Sequence, residues 1–354
     1  MKSTSQNPYL LRALDWNEIC PWLLLTKCLR LGVSFRLLIL MMIHVWIGLF
    51  LWGNVFLKEA SPEGPFREML GVFSVIHQPW LGEPKEDVLE PNSMLDLMEV
   101  PQRQPLPQRP WWWKVLAGGY LFFSSTLLYM MIGRITAVKV ATGIRPYTHQ
   151  GLGLAIRRFS SMLAALFFLV LGMGVCVLPT WLGSFLPGWM MGVTTPFILL
   201  LDVLAVFVVV GGILGFPLVL STLMAENTDC FDGLSRAYAY TFQRPLRYAF
   251  YVAVACFWGF LGYIAMRILV FLTLGLWGIC LGRDVPGEAM AWVEFWSLSL
   301  GLLPWAFLLT YGCSAWTGIY MLLRRDVDAV ELDEVWLENP QGVPTPQLPK
   351  LKQG

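Results

Sequence analysis

Membrane-length apolar stretches recur along this chain, and three of them are entered from a short amphipathic segment that ends in arginine. These entries precede Leu37, Met162 and Tyr248. A stretch of about 20 apolar residues is long enough for a helix to cross the hydrocarbon core of a bilayer. Inside that core a helix satisfies its own backbone hydrogen bonds. The pattern therefore predicts an all-α polytopic integral membrane protein, with amphipathic helices that lie at the cytosolic interface.

Six stretches are predicted to span the membrane, and the composition agrees with this. Of the 354 residues, 56% are hydrophobic and 14% are charged, against roughly 25% charged residues in soluble proteins. Residues 271–281 are apolar but short, so they are interpreted as a continuation of the fifth span or as an interfacial segment. Five and seven spans remain alternatives. The predicted spans are residues 37–57, 113–132, 161–178, 197–220, 248–270 and 297–323.

The charges are distributed unevenly, and their distribution predicts the orientation. Lys and Arg collect before the first span, between the second and third, before the fifth and after the sixth, whereas residues 58–110 contain nine Asp and Glu residues. Cytoplasmic loops of membrane proteins are enriched in Lys and Arg. We therefore expect a multi-pass protein of the bacterial cytoplasmic membrane with both termini in the cytosol. The net charge of +1 argues against a nucleic-acid partner.

These patterns divide the chain into five segments. They are a cytosolic interfacial segment (1–36), a first span (37–57), an acidic, proline-rich outer loop (58–110), a membrane domain (111–323) and a cytosolic tail that is acidic and then proline-rich (324–354). The membrane domain suggests an internal parallel repeat of residues 131–159 and 213–241, because Gly133 and Gly151 have the same spacing as Gly215 and Gly233. The alternative is that the two segments share only a general hydropathy pattern.

Asp202 and Arg267 lie within predicted spans and form a candidate intramembrane ion pair. A charge inside the bilayer costs about 2.5–3.5 kcal/mol on insertion scales, and such residues usually face a partner or a cavity. The rise of an α-helix places both residues toward the outer leaflet. The favoured interpretation is a structural bridge, or two side chains that each reach the interface. The alternative is a polar pathway or a ligand site.

His44 is a candidate polar residue inside the first span. A hydrogen bond to a neighbouring helix is the favoured interpretation, and a proton relay is the alternative. The other two histidines, His77 and His149, stand apart from metal-ligating neighbours in the sequence. Because no zinc-binding or catalytic spacing is present, we predict no catalytic residue, no metal site and no cofactor.

Residues beside the spans carry further predictions. Asp229 is expected to cap the N-terminus of a short amphipathic helix. The small residues from Gly211 to Gly215 are expected to let helices pack closely, and the alternative is a broken helix around Pro217. Anionic lipid head groups are expected to contact arginines at the cytosolic interface. The four candidates are Arg157, Arg158, Arg244 and Arg247.

Two motifs carry a resemblance to a known family. The first runs Glu226-Asn-Thr-Asp-Cys-Phe-Asp-Gly-Leu-Ser-Arg-Ala-Tyr238 and continues through Gln-Arg-Pro-Leu-Arg-Tyr248. The second runs Leu322-Leu-Arg-Arg-Asp-Val-Asp328 and is followed by Asp-Glu-Val335. They resemble a family of bacterial polytopic membrane proteins to which no activity is assigned. The resemblance extends over residues 20–338, is weakest in the outer loop and implies no catalytic or binding residues.

Function is inferred by elimination. The missing catalytic patterns, the acidic loop and the acidic tail favour a non-enzymatic membrane scaffold or a subunit of an envelope complex, with a protein partner as well as the lipid bilayer. A transporter of a small solute or lipid is the alternative, based on Asp202, Arg267, His44 and Pro217. A lipid-modifying membrane enzyme is the third hypothesis. Its nearest candidates are Asp229 and Asp232, for which helix capping is the simpler explanation.

Overall fold

The computed structural model describes residues 20–56, 111–281 and 287–337. These residues form helices with short connections and no strand, so the all-α prediction is confirmed for the part of the chain that is described. The acidic, proline-rich segment 58–110, most of the segment 1–36 and residues 338–354 of the tail lie outside it. In chain order the helices are a 3₁₀ turn at Pro21–Leu23, α1 (Leu24–Gly32), α2 (Phe35–Phe56), α3 (Trp111–Thr142), α4 (Thr148–Gly183), α5 (Gly188–Glu226), α6 (Cys230–Gln243), α7 (Pro245–Leu281), α8 (Gly287–Gly301) and α9 (Leu303–Asp328).

Five of the described helical segments are long and apolar enough to cross a membrane on their own. They are α3, α4, α5, α7 and the segment Phe295–Asp328 that includes α9. The turn and helix at Pro21–Gly32 reach that length only together with Phe35–Leu51 of α2, as a bent pair that would make a sixth span. The chain is therefore a multi-pass helical protein with five or six spans. Residues 271–281 belong to α7, so they continue that helix.

The chain forms two compact units. The described part of the first unit contains α1, α3 from Tyr129 onward, α4, α5, α6, α7 as far as Gly259, and the chain from Tyr311. Glycines let its helices approach closely. A Cβ atom at Gly211 of α5 would lie 2.4 Å from the Tyr238 ring of α6, and one at Gly318 of α9 would lie 2.9 Å from the Cys28 sulfur of α1.

Pro217 lies inside α5 without ending it, because α5 continues to Glu226. Proline removes one backbone N–H and disturbs the preceding turn of a helix. Tyrosine hydroxyls donate to two carbonyls near this turn: the hydroxyl of Tyr248 lies 2.7 Å from the Leu214 oxygen, and that of Tyr129 lies 3.0 Å from the Pro217 oxygen. The glycines before Pro217 therefore serve close packing in an unbroken helix.

Two residues between α5 and α6 set where the short helix α6 begins. Asn227 ends α5 in the left-handed conformation with φ 58°. Asp229 then caps α6, because its carboxylate accepts a hydrogen bond of 3.0 Å from the Asp232 N–H. This confirms the predicted cap. Residues 148–159, expected as a separate interfacial helix, instead form the first turns of α4, which runs without a break to Gly183.

The described part of the second unit contains α2, α3 as far as Leu128, α7 from Phe260, α8 and the start of α9. Leu298 of α8 and Leu302 form a small buried cluster, and three residues of α2 pack on it. Trp46 of α2 also donates a hydrogen bond of 3.1 Å to Ser299. The three α2 residues are Val45, Trp46 and Leu49.

Candidate functional site: a charged cluster at one end of the first unit

A charged cluster lies where α5 ends, and Glu226 is its centre. The Glu226 carboxylate is 2.5 Å from Nη1 of Arg236 and 2.9 Å from Nε of Arg324. The Arg324 Nε atom is buried and its direction is poor for a hydrogen bond, so this second contact is an ion pair. The Tyr320 hydroxyl also donates to Glu226. One carboxylate thus connects the end of α5, the middle of α6 and the last turns of α9.

Two further carboxylates surround Arg236. Its Nε donates a hydrogen bond of 3.0 Å to Asp232 one turn earlier in α6, and its Nη1 is 3.9 Å from Asp328. The hydroxyl of Tyr240 donates to Asp328. We call this group the Glu226 cluster. Its members are Glu226, Asp232, Arg236, Tyr240, Tyr320, Arg324 and Asp328.

The cluster shifts the pKa values of two α6 residues. Burial by itself lowers the pKa of Arg236, but the hydrogen bond that Arg236 donates to Asp232 and the charge of Glu226 outweigh it and raise that pKa. Burial, followed by the hydrogen bond to Asp328 and its charge, raises the pKa of Tyr240. Arg236 therefore stays charged and Tyr240 stays protonated at neutral pH. A general acid or base works best with a pKa near the operating pH, which neither group has.

A short segment after α9 folds back over the same end of the first unit. We call residues 329–337 the C-terminal strap. Its Trp336 N–H donates to the Ala225 carbonyl in the last turn of α5, at 3.2 Å. The Trp336 carbonyl accepts from Nη2 of Arg134 at 2.7 Å, and the Glu334 carbonyl accepts from Nη1 of Arg324 at 2.6 Å. Two largely buried arginines therefore hold the strap through its backbone.

Arg134 contacts the strap in a second way. Its guanidinium carbon lies 5.2 Å from the centre of the Trp336 ring, a distance at which a cation is attracted to the face of an aromatic ring. Its Nη1 also donates to the Met224 carbonyl at 3.1 Å. Arg134 therefore joins α3, α5 and the strap. The sequence predicted a basic loop here and did not predict this buried role.

The structure places the four predicted lipid-contacting arginines in different surroundings. Arg158 donates to the side chain and the carbonyl of Asn227, at 2.5 and 2.6 Å. Arg247 lies 3.1 Å from Asp326, which also accepts from the Tyr251 hydroxyl. Arg157 and Arg244 are exposed. Arg158 and Arg247 thus have protein partners, and lipid contact of the four arginines stays a prediction.

Asp202 and Arg267 belong to different units, and each has a partner in its own unit. Asp202 of α5 accepts a hydrogen bond of 2.6 Å from Thr180 of α4. Arg267 of α7 donates to the Tyr263 hydroxyl at 2.9 Å, with its guanidinium carbon 5.7 Å from the ring centre. Both partners are hydroxyl groups that the sequence argument did not consider. The pairing of Asp202 with Arg267 stays a prediction.

His44 has hydroxyl partners on a neighbouring helix of the second unit. Its Nε2 lies 3.1 Å from the Ser125 hydroxyl, and its Nδ1 lies 3.4 Å from the Tyr120 hydroxyl. Both partners are on α3, about one and a half turns apart, and the imidazole is buried. This arrangement agrees with a hydrogen bond between helices, which was the favoured interpretation.

An apolar groove lies between α4 and α5, with a volume of about 410 Å³. We call it the α4–α5 groove. Gly212 and Pro217 of α5 leave room for it, because neither has a long side chain. The groove is lined by Leu166, Leu169, Val170, Met173, Val208, Val209, Gly212, Ile213, Phe216 and Pro217.

Among the described residues, no group of three or more His, Cys, Asp or Glu side chains is placed to hold a metal ion.

Sequence reasoning missed the Glu226 cluster as a unit, although one signal pointed to it. The two motifs that carry the family resemblance, residues 226–248 and 322–335, supply its acidic and basic side chains, and they contact each other through Glu226 and Asp328. Comparison of the chain with known protein families, with curated proteins and with solved structures found no match.

Proposed function

We propose that this chain is a non-enzymatic protein of the bacterial cytoplasmic membrane that acts as a scaffold or as a subunit of an envelope complex. In this proposal both termini are cytosolic, the acidic loop 58–110 faces outward, and both it and the tail contact other proteins. The basic segments beside the spans support the orientation. The proposal concerns a platform for partners and involves no reaction.

One observation supports the proposal: the charged side chains of the Glu226 cluster bind one another and the C-terminal strap. Arg236 contacts both Glu226 and Asp328, and the cluster's other arginine, Arg324, binds a backbone carbonyl of the strap. A network that is satisfied in this way makes a structure rigid. The strap therefore starts the tail from a fixed position beside α5. A fixed starting position suits a segment that presents itself to a partner.

The test is purification of the tagged full-length protein in lipid nanodiscs, followed by mass spectrometry of the proteins that accompany it. Two deletions are compared with the complete chain: one of residues 60–108 in the loop and one of residues 338–354 in the tail. We expect companion proteins in stoichiometric amounts that are lost with one of the deletions. A homogeneous protein without companions, or companions that survive both deletions, would contradict the proposal.

The orientation is tested separately with reporter fusions. A fluorescent protein joined after Gly354 should fold and fluoresce in the cytosol, and alkaline phosphatase inserted within residues 58–110 should be active outside it, since Lys and Arg are retained on the cytosolic side. The matched control exchanges the two reporters, and both should then be inactive. The opposite pattern would reverse the proposed topology.

Transport of a hydrophobic solute or lipid is a second candidate, because the α4–α5 groove is large enough for a ligand. It predicts that the protein in liposomes accelerates the exchange of fluorescent phosphatidylglycerol between leaflets, measured by dithionite quenching. The third hypothesis, a lipid-modifying enzyme, rests on Asp229 and Asp232, which have structural contacts: Asp229 caps α6 and Asp232 binds Arg236.

A further inference from the structure

We propose that the Arg158–Asn227 pair and the α4–α5 groove together bind one anionic phospholipid, with its phosphate on Arg158 and one acyl chain in the groove. The inference requires that α4 and α5 lie in a membrane. It does not depend on the scaffold function. The two parts of the site lie on the same two helices of the first unit, so their separation is set by the helices themselves.

The charge of Arg158 is the first part of the argument. Both of its hydrogen bonds go to neutral oxygens of Asn227, and within the described residues no carboxylate lies within ion-pair distance of it. Two of the five guanidinium N–H donors are used in this way. The side chain is partly exposed. Arg158 therefore keeps both a positive charge and donors for a phosphate, which arginine binds in a fixed, forked geometry.

Asn227 orients the guanidinium for this purpose. It ends α5 with φ 58°, a conformation that asparagine adopts more readily than most residues. Its side-chain oxygen and its carbonyl then both point to Arg158, at 2.5 and 2.6 Å. The pair joins the third turn of α4 to the end of α5, and the groove begins about 12 Å further along α4. A lipid head group at this position would contact an arginine that is already held in place.

The depth of the groove is the second part of the argument. At about 1.5 Å per residue, Leu166 lies about 12 Å and Met173 about 22 Å along α4 from Arg158. Head groups occupy about 5–7 Å on each side of a hydrocarbon core of about 30 Å. With Arg158 at the head-group level, the groove begins about halfway down one leaflet and ends near the middle of the bilayer. This is where the terminal part of an acyl chain of the same lipid would lie.

The chemistry of the lining agrees with an acyl chain as the occupant. All of the lining residues are apolar. Ile213 and Val170, at 70% and 58% exposure, leave the groove open toward the surrounding lipid. Gly212 lets Leu169 approach the α5 backbone, because a Cβ there would be 3.3 Å from a Leu169 methyl group. An open apolar channel below a cation matches the two parts of an anionic phospholipid.

Native mass spectrometry of the full-length protein, titrated with palmitoyl-oleoyl phosphatidylglycerol or phosphatidylcholine in detergent, tests the proposal. We expect tighter binding of phosphatidylglycerol by the wild type. Loss of a charge-assisted hydrogen bond should weaken that binding about tenfold or more in Arg158→Gln. The matched control Arg157→Gln removes the same charge one residue away and should change it less than about twofold.

A second pair of variants tests the groove without altering Arg158. Ile213→Trp fills the groove from an exposed position, and Leu200→Trp adds the same ring at an exposed position of α5 outside the lining. We expect Ile213→Trp alone to weaken the binding of both lipids. Melting temperatures within a few degrees of the wild type would show that each variant is folded. Inorganic phosphate should fail to displace the lipid, since it lacks the acyl chain.

Several results would overturn the proposal. Equal losses in Arg157→Gln and Arg158→Gln would show a general effect of surface charge. An unchanged affinity in Ile213→Trp would remove the groove from the site, and displacement by inorganic phosphate would show that only an anion binds. A dimer that Ile213→Trp abolishes, with no retained lipid, would identify a second copy of the chain as the occupant.

Discussion

Individual charged residues of the first unit affect its stability through the contacts that they make with other helices. Glu226 lies between Arg236 and Arg324, and its side chain is only 11% exposed. A buried ion pair adds little net stability, but removing one partner leaves an uncompensated charge and is strongly destabilising. Asp229 acts within its own helix as a cap, and this local role was predictable.

Replacing Glu226 by Gln should destabilise the protein by about 3 kcal/mol, because it leaves the guanidiniums of Arg236 and Arg324 facing each other at the end of α5. Thermal unfolding in detergent measures the effect. Glu331→Gln removes an exposed acid of the strap and should change the stability by less than about 0.5 kcal/mol. Equal stabilities of the Glu226→Gln variant and the wild type would show that the cluster does not hold the helix ends.

The raised pKa of Tyr240 gives a prediction about alkaline pH. The unfolded chain loses the Tyr240 proton near its ordinary pKa of 10, whereas the folded chain keeps it to higher pH, so this contribution to stability is complete below pH 10 and is lost above it. Tyr240→Phe lacks the hydrogen bond to Asp328 and should cost about 1.5 kcal/mol at pH 8.

The difference in stability between the wild type and Tyr240→Phe should therefore shrink as the pH rises above 10. Chemical unfolding in detergent at a series of pH values measures it. Tyr147→Phe, at an exposed position, serves as the control and should differ little from the wild type at pH 8. A constant difference for Tyr240→Phe across the series would contradict the prediction.

At the scale of helices, the α5–α6 contact depends on glycine and on a fixed aromatic ring. Tyr238 of α6 packs against Gly211, and its hydroxyl donates a hydrogen bond of 2.6 Å to the Val208 carbonyl of α5. This bond prevents the ring from moving away. Small residues at helix contacts in membranes allow this kind of approach. The sequence indicated the small residues, but not the ring that they accommodate.

Gly211→Ala should destabilise the first unit by about 1–3 kcal/mol, because a Cβ 2.4 Å from the Tyr238 ring forces the two helices apart. Thermal unfolding of the purified protein measures the loss. Gly174→Ala in α4 is the control, since a Cβ there meets nothing within 4 Å, and it should be neutral or slightly stabilising. A loss of the same size in both variants would show that close packing is not the cause.

At the scale of the whole molecule, the C-terminal strap is part of the folded first unit even though it follows the last helix. Trp336 caps the end of α5, and Arg134 and Arg324 bind the strap's carbonyls. Most hydrogen bonds of a membrane helix lie within that helix. Two of these bonds, Trp336 to Ala225 and Arg134 to Trp336, instead join segments that are far apart in the sequence, so losing them affects several helices together.

Two truncations separate the strap from the rest of the tail. Ending the chain after Leu337 keeps every strap contact and should leave the melting temperature unchanged. Ending it after Asp328 removes the strap carbonyls that Arg134 and Arg324 bind and should cost about 2–4 kcal/mol, since each of these buried cations loses a hydrogen bond. Thermal unfolding in detergent compares the two. Equal melting temperatures would show that the strap adds no stability.

The sequence by itself determined the secondary structure and the approximate number of spans. A long apolar run in the hydrocarbon core of a membrane has no water to bind, so its backbone hydrogen bonds have to form within a helix. Length and hydropathy are therefore sufficient to predict helices at residues 113–132 and 197–220. Capping by Asp229 was predictable for a similar reason, since the cap and its N–H partner are three residues apart.

Only the tertiary structure decided the partners of the charged residues. Arg134 and Trp336 are about 200 residues apart in the sequence, and Glu226 contacts Arg324 of α9 although the chain contains many other Lys and Arg residues. Electrostatic attraction has no sequence period, so a pattern of charges indicates which side of the membrane a segment occupies but not which residue it meets. The arrangement of Arg158 above the α4–α5 groove likewise follows from the packing of two helices.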